Sequence, residues 1–336
     1  MLLKLNKKAK SEDLNNLIQK LQWMGFTVSS NKSHHLAILK GIDEKTHIQK
    51  FQKLDFVEEV TPFKNKFKLV SREFHPENTI IEIRGKKIGG DAIVMMAGPC
   101  TIESKEQIEQ SAQEAAKSGA TVLRGGAFKP RTSPYDFQGL GEEGLKYLKE
   151  AADKHNLLTI SEIMDPDDLE MMEKYVDILQ VGARNMQNFS LLKKLAKSKT
   201  PVFLKRGFSA TYQDFLMAAE YIVGGGNPNV ILCERGIRTF ETYARNTLDV
   251  AAVPILKSLT HLPIALDPSH GTGIREMVSP MAKAGVAAGA DVLMIEMHPN
   301  PDQSVSDAKQ TVSFDTFSEI MQDLKVIAKA VNRSFG

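Results

Sequence analysis

Two cysteines, Cys100 and Cys233, are all that the 336 residues contain. So few exclude a disulfide framework and fit a reducing compartment. Long apolar runs are missing too. None approaches the about 18–20 residues of a membrane span, and the opening MLLKLNKKAK holds no apolar core long enough for a signal peptide. The expectation is a cytoplasmic protein with no membrane partner. Nor is there an excess of either charge: 43 Lys and Arg against 41 Asp and Glu leave +2, so nothing points to nucleic acid. Basic residues therefore matter here through local clustering. What is present is an ordinary globular composition, 42% apolar and 25% charged, in a chain long enough for one large domain of about 250 residues and a small one.

The basic clustering is densest at residues 123–139, LRGGAFKPRTSPYDFQG. Arg124, Lys129 and Arg131 fall within eight residues there, punctuated by Gly125, Gly126, Pro130 and Pro134. An apolar run, Thr121 to Leu123, precedes it as a strand that the glycines end. A stiffened cationic loop leaving a buried strand suits phosphorylated small molecules, because Arg offers a planar fork and Lys a point charge to phosphate.

Ahead of this, residues 1–65 predict a small domain. Leu2, Leu3 and Leu5 begin a strand; Ser11 caps a helix with Leu14, Leu17, Ile18 and Leu21 on one face. Phe26, Val28, Leu36 and Ile38 give two strands around a polar turn that holds His34 and His35, expected at the surface. A helix over 44–54 and a strand over 56–60 complete βαββαβ, the ferredoxin-like order. Residues 66–78 are polar and charged, contain Pro76 and predict a linker.

A hairpin over 79–88 around Gly85 is expected to cover one end of the large domain over 79–336. Short apolar runs at 93–97, 121–123, 157–162, 178–181, 202–205, 230–233, 264–266 and 292–295 then alternate with helical patterns. The helices are expected at 105–117, 144–155, 167–175, 191–198, 213–223, irregularly at 243–256, and at 275–288 and 315–331. Eight strands alternating with eight helices predict an α/β fold, a (β/α)8 TIM barrel, whose chemistry sits at the carboxyl ends of the strands.

Every one of those strand ends is polar. Strand 1 runs into Cys100, the second into Arg124, Lys129 and Arg131, the third into Glu162, and the fourth into Gln180 and Arg184. Lys205 and Arg206 follow the fifth, Glu234 and Arg235 the sixth, Asp267 and His270 the seventh, and Glu296 and His298 the eighth, with Asp307 beyond. A purely structural barrel has no reason for this, since charge in a cleft is costly unless paired. The cations Arg124, Lys129, Arg131, Arg184, Lys205 and Arg235 come from strands 2, 4, 5 and 6. Thiol, imidazole and carboxylates, Cys100, His270, Glu296 and Asp307, come from strands 7, 8 and 1, neighbours after closure. That mixture is a plausible shell for a divalent metal, and it admits Mn, Fe, Co or Zn. Lys129 is a candidate proton donor and Glu162 could orient a cation or manage water. Cys233 is expected in the core and His298 to be structural.

With these motifs assembled, the chain resembles 3-deoxy-7-phosphoheptulonate (DAHP) synthase of the short bacterial type with an amino-terminal ferredoxin-like domain. The likeness rests on AGPC at 97–100, LRGGAFKPRTSPYDFQGLG at 123–141, QVGARN at 180–185, LKRG at 204–207 and CERGIRTFE at 233–241. DPSHG at 267–271, EMHP at 296–299 and SD at 306–307 complete it. The resemblance implies condensation of phosphoenolpyruvate with erythrose 4-phosphate and water, opening the shikimate pathway. It implies metal ligands at Cys100, His270, Glu296 and Asp307, and phosphoenolpyruvate contacts at Arg124, Lys129, Arg184, Lys205 and Arg235, with Gln180 beside them. Arg131, Thr132 and Ser133 would hold the aldose phosphate, and Lys129, Glu162 and His270 are the candidate catalytic groups. A homo-oligomer, commonly a tetramer, and feedback inhibition by Phe or Tyr through the extra domain are also implied. Two alternatives stand beside this reading. One is the sister synthase that uses arabinose 5-phosphate, whose strand-2 loop typically lacks the Pro-Arg-Thr present here. The other is a non-catalytic, effector-sensing barrel.

Overall fold

The computed structural model describes residues 1–6, 9–31, 34–40, 44–129, 135 and 137–336, without the side chains of residues 40 and 44–47. It divides into two compact units, residues 1–78 with Ser258–His261, and Thr79–Lys257 with Leu262–Gly336.

In the first unit β1 (Leu2–Leu5), α1 (Ser11–Trp23), β2 (Thr27–Ser30), β3 (His35–Lys40), α2 (Glu44–Phe51) and β4 (Val57–Thr61) follow one another. The sheet order is β2-β3-β1-β4 and every neighbouring pair is antiparallel. Leu3, Leu5, Leu21, Phe26, Leu36, Ile38, Phe51 and Val60 form its core. Three expectations change. Ser11 does not cap α1: Lys10 takes that place without a side-chain bond, and Glu12 and Asp13 in the first turn answer the exposed amides by charge. His35 is buried rather than at the surface, because β3 lies between β1 and β2 and is covered on both faces. The stretch 66–78 is more than a linker: Phe67, Leu69, Val70 and Phe74 are buried, apolar positions that their lysine and glutamate neighbours disguise.

The second unit opens with a hairpin, β5 (Ile81–Ile83) and β6 (Lys86–Ile88). Its two-residue turn has positive φ at both Arg84 (49°) and Gly85 (77°), the combination that matches strand twist. The barrel strands are β7 (Ala92–Gly98), β8 (Val122–Arg124), β9 (Leu158–Glu162), β10 (Ile178–Val181), β11 (Val202–Lys205), β12 (Val230–Glu234), β13 (Ile264–Leu266) and β14 (Val292–Glu296). All are parallel in sequence order, and β14 pairs with β7 to close the ring. The helices are α3 (Lys105–Ser118), α4 (Glu142–Lys154), α5 (Leu169–Met172), α6 (Phe189–Leu195), α7 (Tyr212–Gly224), α8 (Ala252–Leu259), α9 (Pro268–Thr272), α10 (Val278–Ala287) and α11 (Phe314–Ala330).

A short β15 (Ser334–Phe335), which the sequence pattern does not reveal, adds to the start of β7. The helix expected over 243–256 is confined to α8. The preceding stretch is instead an irregular loop pinned by an Ile237–Thr247 bridge. The helix expected over 167–175 is a 3-10 turn, Pro166–Asp168, leading into the single turn of α5.

The barrel interior is one apolar cluster: Val94, Met96, Val122, Leu158, Ile160, Ile178, Phe203, Ile231, Cys233, Ala265, Val292 and Met294. Ile81, Ile83 and Ile88 of the hairpin join it, so its apolar face packs against the barrel core.

Candidate active site

Side chains alternate across a strand with period two, and that period locates the site. Extending the interior positions toward the carboxyl ends gives Gly98 after Met96, Arg124 after Val122, Glu162 after Ile160, and Gln180 after Ile178. It then gives Lys205 after Phe203, Arg235 after Cys233, Asp267 after Ala265, and Glu296 after Met294. The same inward stripe that packs the barrel turns polar one step from its mouth. Arg124, Lys205, Arg235, Asp267 and Glu296 are all buried.

On one side of the mouth the thiol and carboxylates converge. Atoms of Cys100, Glu296 and Asp307 lie within 4.8 Å of one another, with Asp307 Oδ2 3.3 Å from Cys100 Sγ. His270 Nε2 stands 3.4 Å from Glu296 Oε1 and 4.0 Å from Asp307 Oδ2. Glu296 Oε1 accepts from Arg124 Nη1 at 2.9 Å and Oε2 from Gln310 Nε2 at 2.6 Å. Lys129 Nζ donates to Cys100 O at 2.9 Å and lies 3.1 Å from its Sγ. Burial pushes the Cys100 thiol up, and the Glu296 charge adds to this. Burial would raise Glu296 and Asp307 too, but His270 with Arg124 holds Glu296 below the ordinary range, and His270 with Arg245 does so for Asp307. A thiol that resists ionisation among ionised carboxylates fits a site completed by a cation, and one sulfur, one nitrogen and two carboxylate donors suit a first-row divalent ion.

Asp267 joins the two sides. Its Oδ2 is 2.8 Å from Lys205 Nζ and 2.7 Å from His270 Nδ1, and its Oδ1 accepts from the His270 amide at 3.0 Å. The second contact meets the distance for an ion pair without the alignment of a straight hydrogen bond. Burial opposes ionisation of Asp267, yet His270 and Lys205 hold it well below the carboxylate range.

On the other side Arg124, Lys129, Arg184, Lys205 and Arg235 line one cavity of about 710 Å³, counting its open mouth. Glu162, Gln180, Phe208, Arg245, His270 and Asp307 share its wall. The guanidiniums of Arg184, Arg235 and Arg238 lie 5.9, 4.7 and 5.0 Å from the Phe208 ring. Among the described residues, buried Arg235 Nη1 and Arg124 Nε meet no acceptor. Burial pulls Arg235 below its ordinary value, a cost that a bound anion would offset. Glu162 accepts from Gln180 Nε2 at 3.1 Å. Its other oxygen occupies the space a side chain at 182 would need, since a Cβ on Gly182 would sit 2.0 Å from it.

The structure thus brings together Cys100, Arg124, Lys129, Glu162, Gln180, Arg184, Lys205, Arg235, His270, Glu296 and Asp307. Arg131, Thr132 and Ser133 lie outside the described residues. Cys233 is in the barrel core with its thiol pushed well up by burial. His298 is buried, accepts at Nδ1 from the Asn300 amide and faces Glu103. Sequence reasoning gave no role to Asp267, Arg245, Ser306 or Gln310. Asp267 had a usable signal in its place on the inward stripe, and Ser306, 3.3 Å from Cys100 Sγ, in its place beside Asp307 in the SD motif.

A profile of the DAHP synthetase I family matches residues 74–330. The chain belongs to that family and is an enzyme of it. Phospho-2-dehydro-3-deoxyheptonate aldolase of Thermotoga maritima is 45% identical over 333 residues, 98% of each chain. A 2-dehydro-3-deoxyphosphooctonate aldolase of Protochlamydia amoebophila is 27% identical over 72% of this chain and 94% of its own. Among solved structures, the Thermotoga maritima DAHP synthase superposes with a TM-score of 0.80 at 44% identity, covering 100% of this chain and 98% of that one. A truncated form of the synthase from the same organism gives 0.76 at 47% identity, over 80% of this chain and 99% of that one.

Proposed function

We propose that this enzyme condenses phosphoenolpyruvate with erythrose 4-phosphate and water, giving 3-deoxy-D-arabino-heptulosonate 7-phosphate and inorganic phosphate. The observation that carries the reading is the set of six Lys and Arg side chains around one cavity, with buried guanidinium donors that meet no acceptor among the described residues. Phosphoenolpyruvate brings a carboxylate and a phosphate, the two groups that a guanidinium fork holds best. The relatives argue the same way: the heptonate enzyme matches this chain end to end, whereas the octonate enzyme aligns with only 72% of it. Arg131, Thr132 and Ser133 are the proposed contacts for the aldose phosphate.

Cys100, His270, Glu296 and Asp307 would hold a divalent metal, which when bound supplies Lewis acidity toward the aldehyde oxygen. Arg124, Arg184, Lys205 and Arg235 bind and orient phosphoenolpyruvate so that its C3 faces the aldehyde carbon. After the carbon–carbon bond forms, water adds at C2 and the C2–O bond to phosphate breaks. Lys129, beside Cys100, would donate a proton to the former aldehyde oxygen as the carbon–carbon bond forms, and Glu162, beside the cavity with Gln180 as its partner, would receive one from the water. Asp267 keeps Lys205 and His270 in register, so the cation side and the donor side cannot drift apart.

The first unit supports two further readings. Its βαββαβ order and its all-antiparallel 2-3-1-4 sheet support a ferredoxin-like fold, and with it the short bacterial type of synthase. A regulatory role for it, with Phe or Tyr as effector, and a homotetrameric, cytoplasmic enzyme belong to the same proposal. Phosphate release from phosphoenolpyruvate, assayed separately with erythrose 4-phosphate and arabinose 5-phosphate, tests the reaction. Turnover with the five-carbon sugar alone would overturn it. Inhibition by Phe or Tyr that survives deletion of residues 1–65 would remove the regulatory reading.

A further inference from the structure

Gln310 lies in the loop between β14 and α11, three residues past Asp307, and is 2% exposed. Its amide has one allowed orientation. Nε2 faces Glu296 Oε2 at 2.6 Å, where only a donor can serve, and Oε1 faces Arg245 Nη1 at 3.1 Å, where only an acceptor can. The same Arg245 nitrogen donates to Asp307 Oδ1 at 3.0 Å. Arg245 therefore touches one candidate ligand directly and reaches a second through Gln310.

The β12–α8 loop, which carries Arg245, holds the segment of the third through its backbone and the Asn246 side chain. Arg245 N donates to Thr272 O at 2.9 Å and Asn246 Nδ2 to His270 O at 3.0 Å. Those contacts bind the short helix α9, which carries His270, to the β12–α8 loop. The close approach needs a glycine after α9: at Gly273, φ is 71° and a Cβ would lie 2.7 Å from Arg245 Cβ. With Oε2 of Glu296 occupied by Gln310, Oε1 is the oxygen turned toward Arg124 and His270.

We infer that Gln310, its amide oriented by Arg245, is a positioning residue that aims Glu296 within the donor cluster of Cys100, His270 and Asp307. The inference rests on the metal reading above and deepens it. A partner of this kind fixes a ligating carboxylate before the ion arrives, and losing one typically weakens binding about 10–100-fold.

The test uses full-length, metal-stripped protein titrated with Mn²⁺ by calorimetry in the absence of substrates. Gln310→Met keeps the volume and removes both polar atoms, and Gln310→Ala is the second variant should Met perturb folding. Mn²⁺ affinity should fall about 10–100-fold, the metal-stripped variants should still unfold in one cooperative transition, and kcat should recover at saturating Mn²⁺. In an Arg245→Met background the same substitution should cost less, because the amide has already lost its orientation. Equal Mn²⁺ affinity in wild type and both variants would overturn this inference alone. A wild type that takes up none of Mn²⁺, Fe²⁺, Co²⁺ or Zn²⁺ would overturn the metal reading and this inference with it. A loss of Mn²⁺ affinity of the same size with and without Arg245 would make Gln310 a packing residue and reject the positioning role.

Discussion

The two sides of the barrel mouth are built from the same inward stripe and treat charge in opposite ways. On the side of β13, β14 and β7, each acidic group already has a partner: Glu296 has Arg124 and Gln310, Asp307 has Arg245, and Asp267 has Lys205 and His270. On the side of β10 and β12, Arg184 and Arg235 meet an aromatic ring, and among the described residues no carboxylate lies within ion-pair distance of either. The satisfied side is organised in advance around its donors. The unsatisfied side keeps its donors for something brought from outside. Arg235 is buried and its Nη1 meets no acceptor among the described residues; a buried cation left so is costly to a folded chain, so its persistence at a cavity wall is the stronger of the two pointers to a ligand.

This contrast can be broken at several points. The largest effect should come from Cys100→Ala, or from a strong chelator, with loss of measurable phosphate release; added Mn²⁺ should rescue the chelated wild type and not the variant. Full turnover in a demonstrably metal-free sample would remove the donor side from the chemistry. Next, Arg235→Met should lower kcat/KM for phosphoenolpyruvate about 10²–10³-fold, the usual cost of one preorganised charge-binding donor, while Mn²⁺ affinity stays unchanged. Steady-state kinetics beside a metal titration separates the two sides directly.

Asp267→Leu should act on both sides at once. Removing one partner of a buried pair typically costs about 3–5 kcal/mol, readable by urea denaturation at pH 7. The sign of its pH dependence follows from the depressed carboxyl. The Asp267 contribution is fully present above its unfolded value, about 4, and is lost as pH falls below that. Wild type should therefore weaken in acid more steeply than the variant. The smallest effect belongs to Tyr212, behind the cationic side, whose hydroxyl donates to Asp249 at 2.6 Å. Burial, then the Asp249 bond, raises it to about 12, so its contribution is present below about pH 10 and is lost as pH rises through 12. Tyr212→Phe should cost about 1 kcal/mol at neutral pH and flatten the alkaline limb of the melting curve.

Much of the barrel was legible because its strands are short, apolar and regularly spaced, and because period-two alternation continues past the apolar stretch into the polar mouth. That is why Arg124, Glu162, Lys205, Arg235 and Glu296 could be read from strand ends. The errors fall where periodicity carries no information. The stretch before α8 contains apolar residues at helical spacing, yet it is held as a loop by the Ile237–Thr247 bridge and by Arg245 reaching Thr272 and Asp307. His35 looked like a surface residue because two histidines beside a polar turn say nothing about which strand will cover them. Gln310 had no signal, since a glutamine three residues past an aspartate is unremarkable until folding sets it against Glu296.

By itself the sequence determined the class of fold, the closure into a barrel, and which residue types ring its mouth, because local alternation and strand ends are properties of the chain alone. Only the tertiary structure decided which charges cancel one another and which stay open. Whether a guanidinium finds a carboxylate depends on the register between strands far apart in sequence and on how the loops fold back, and no local pattern encodes either.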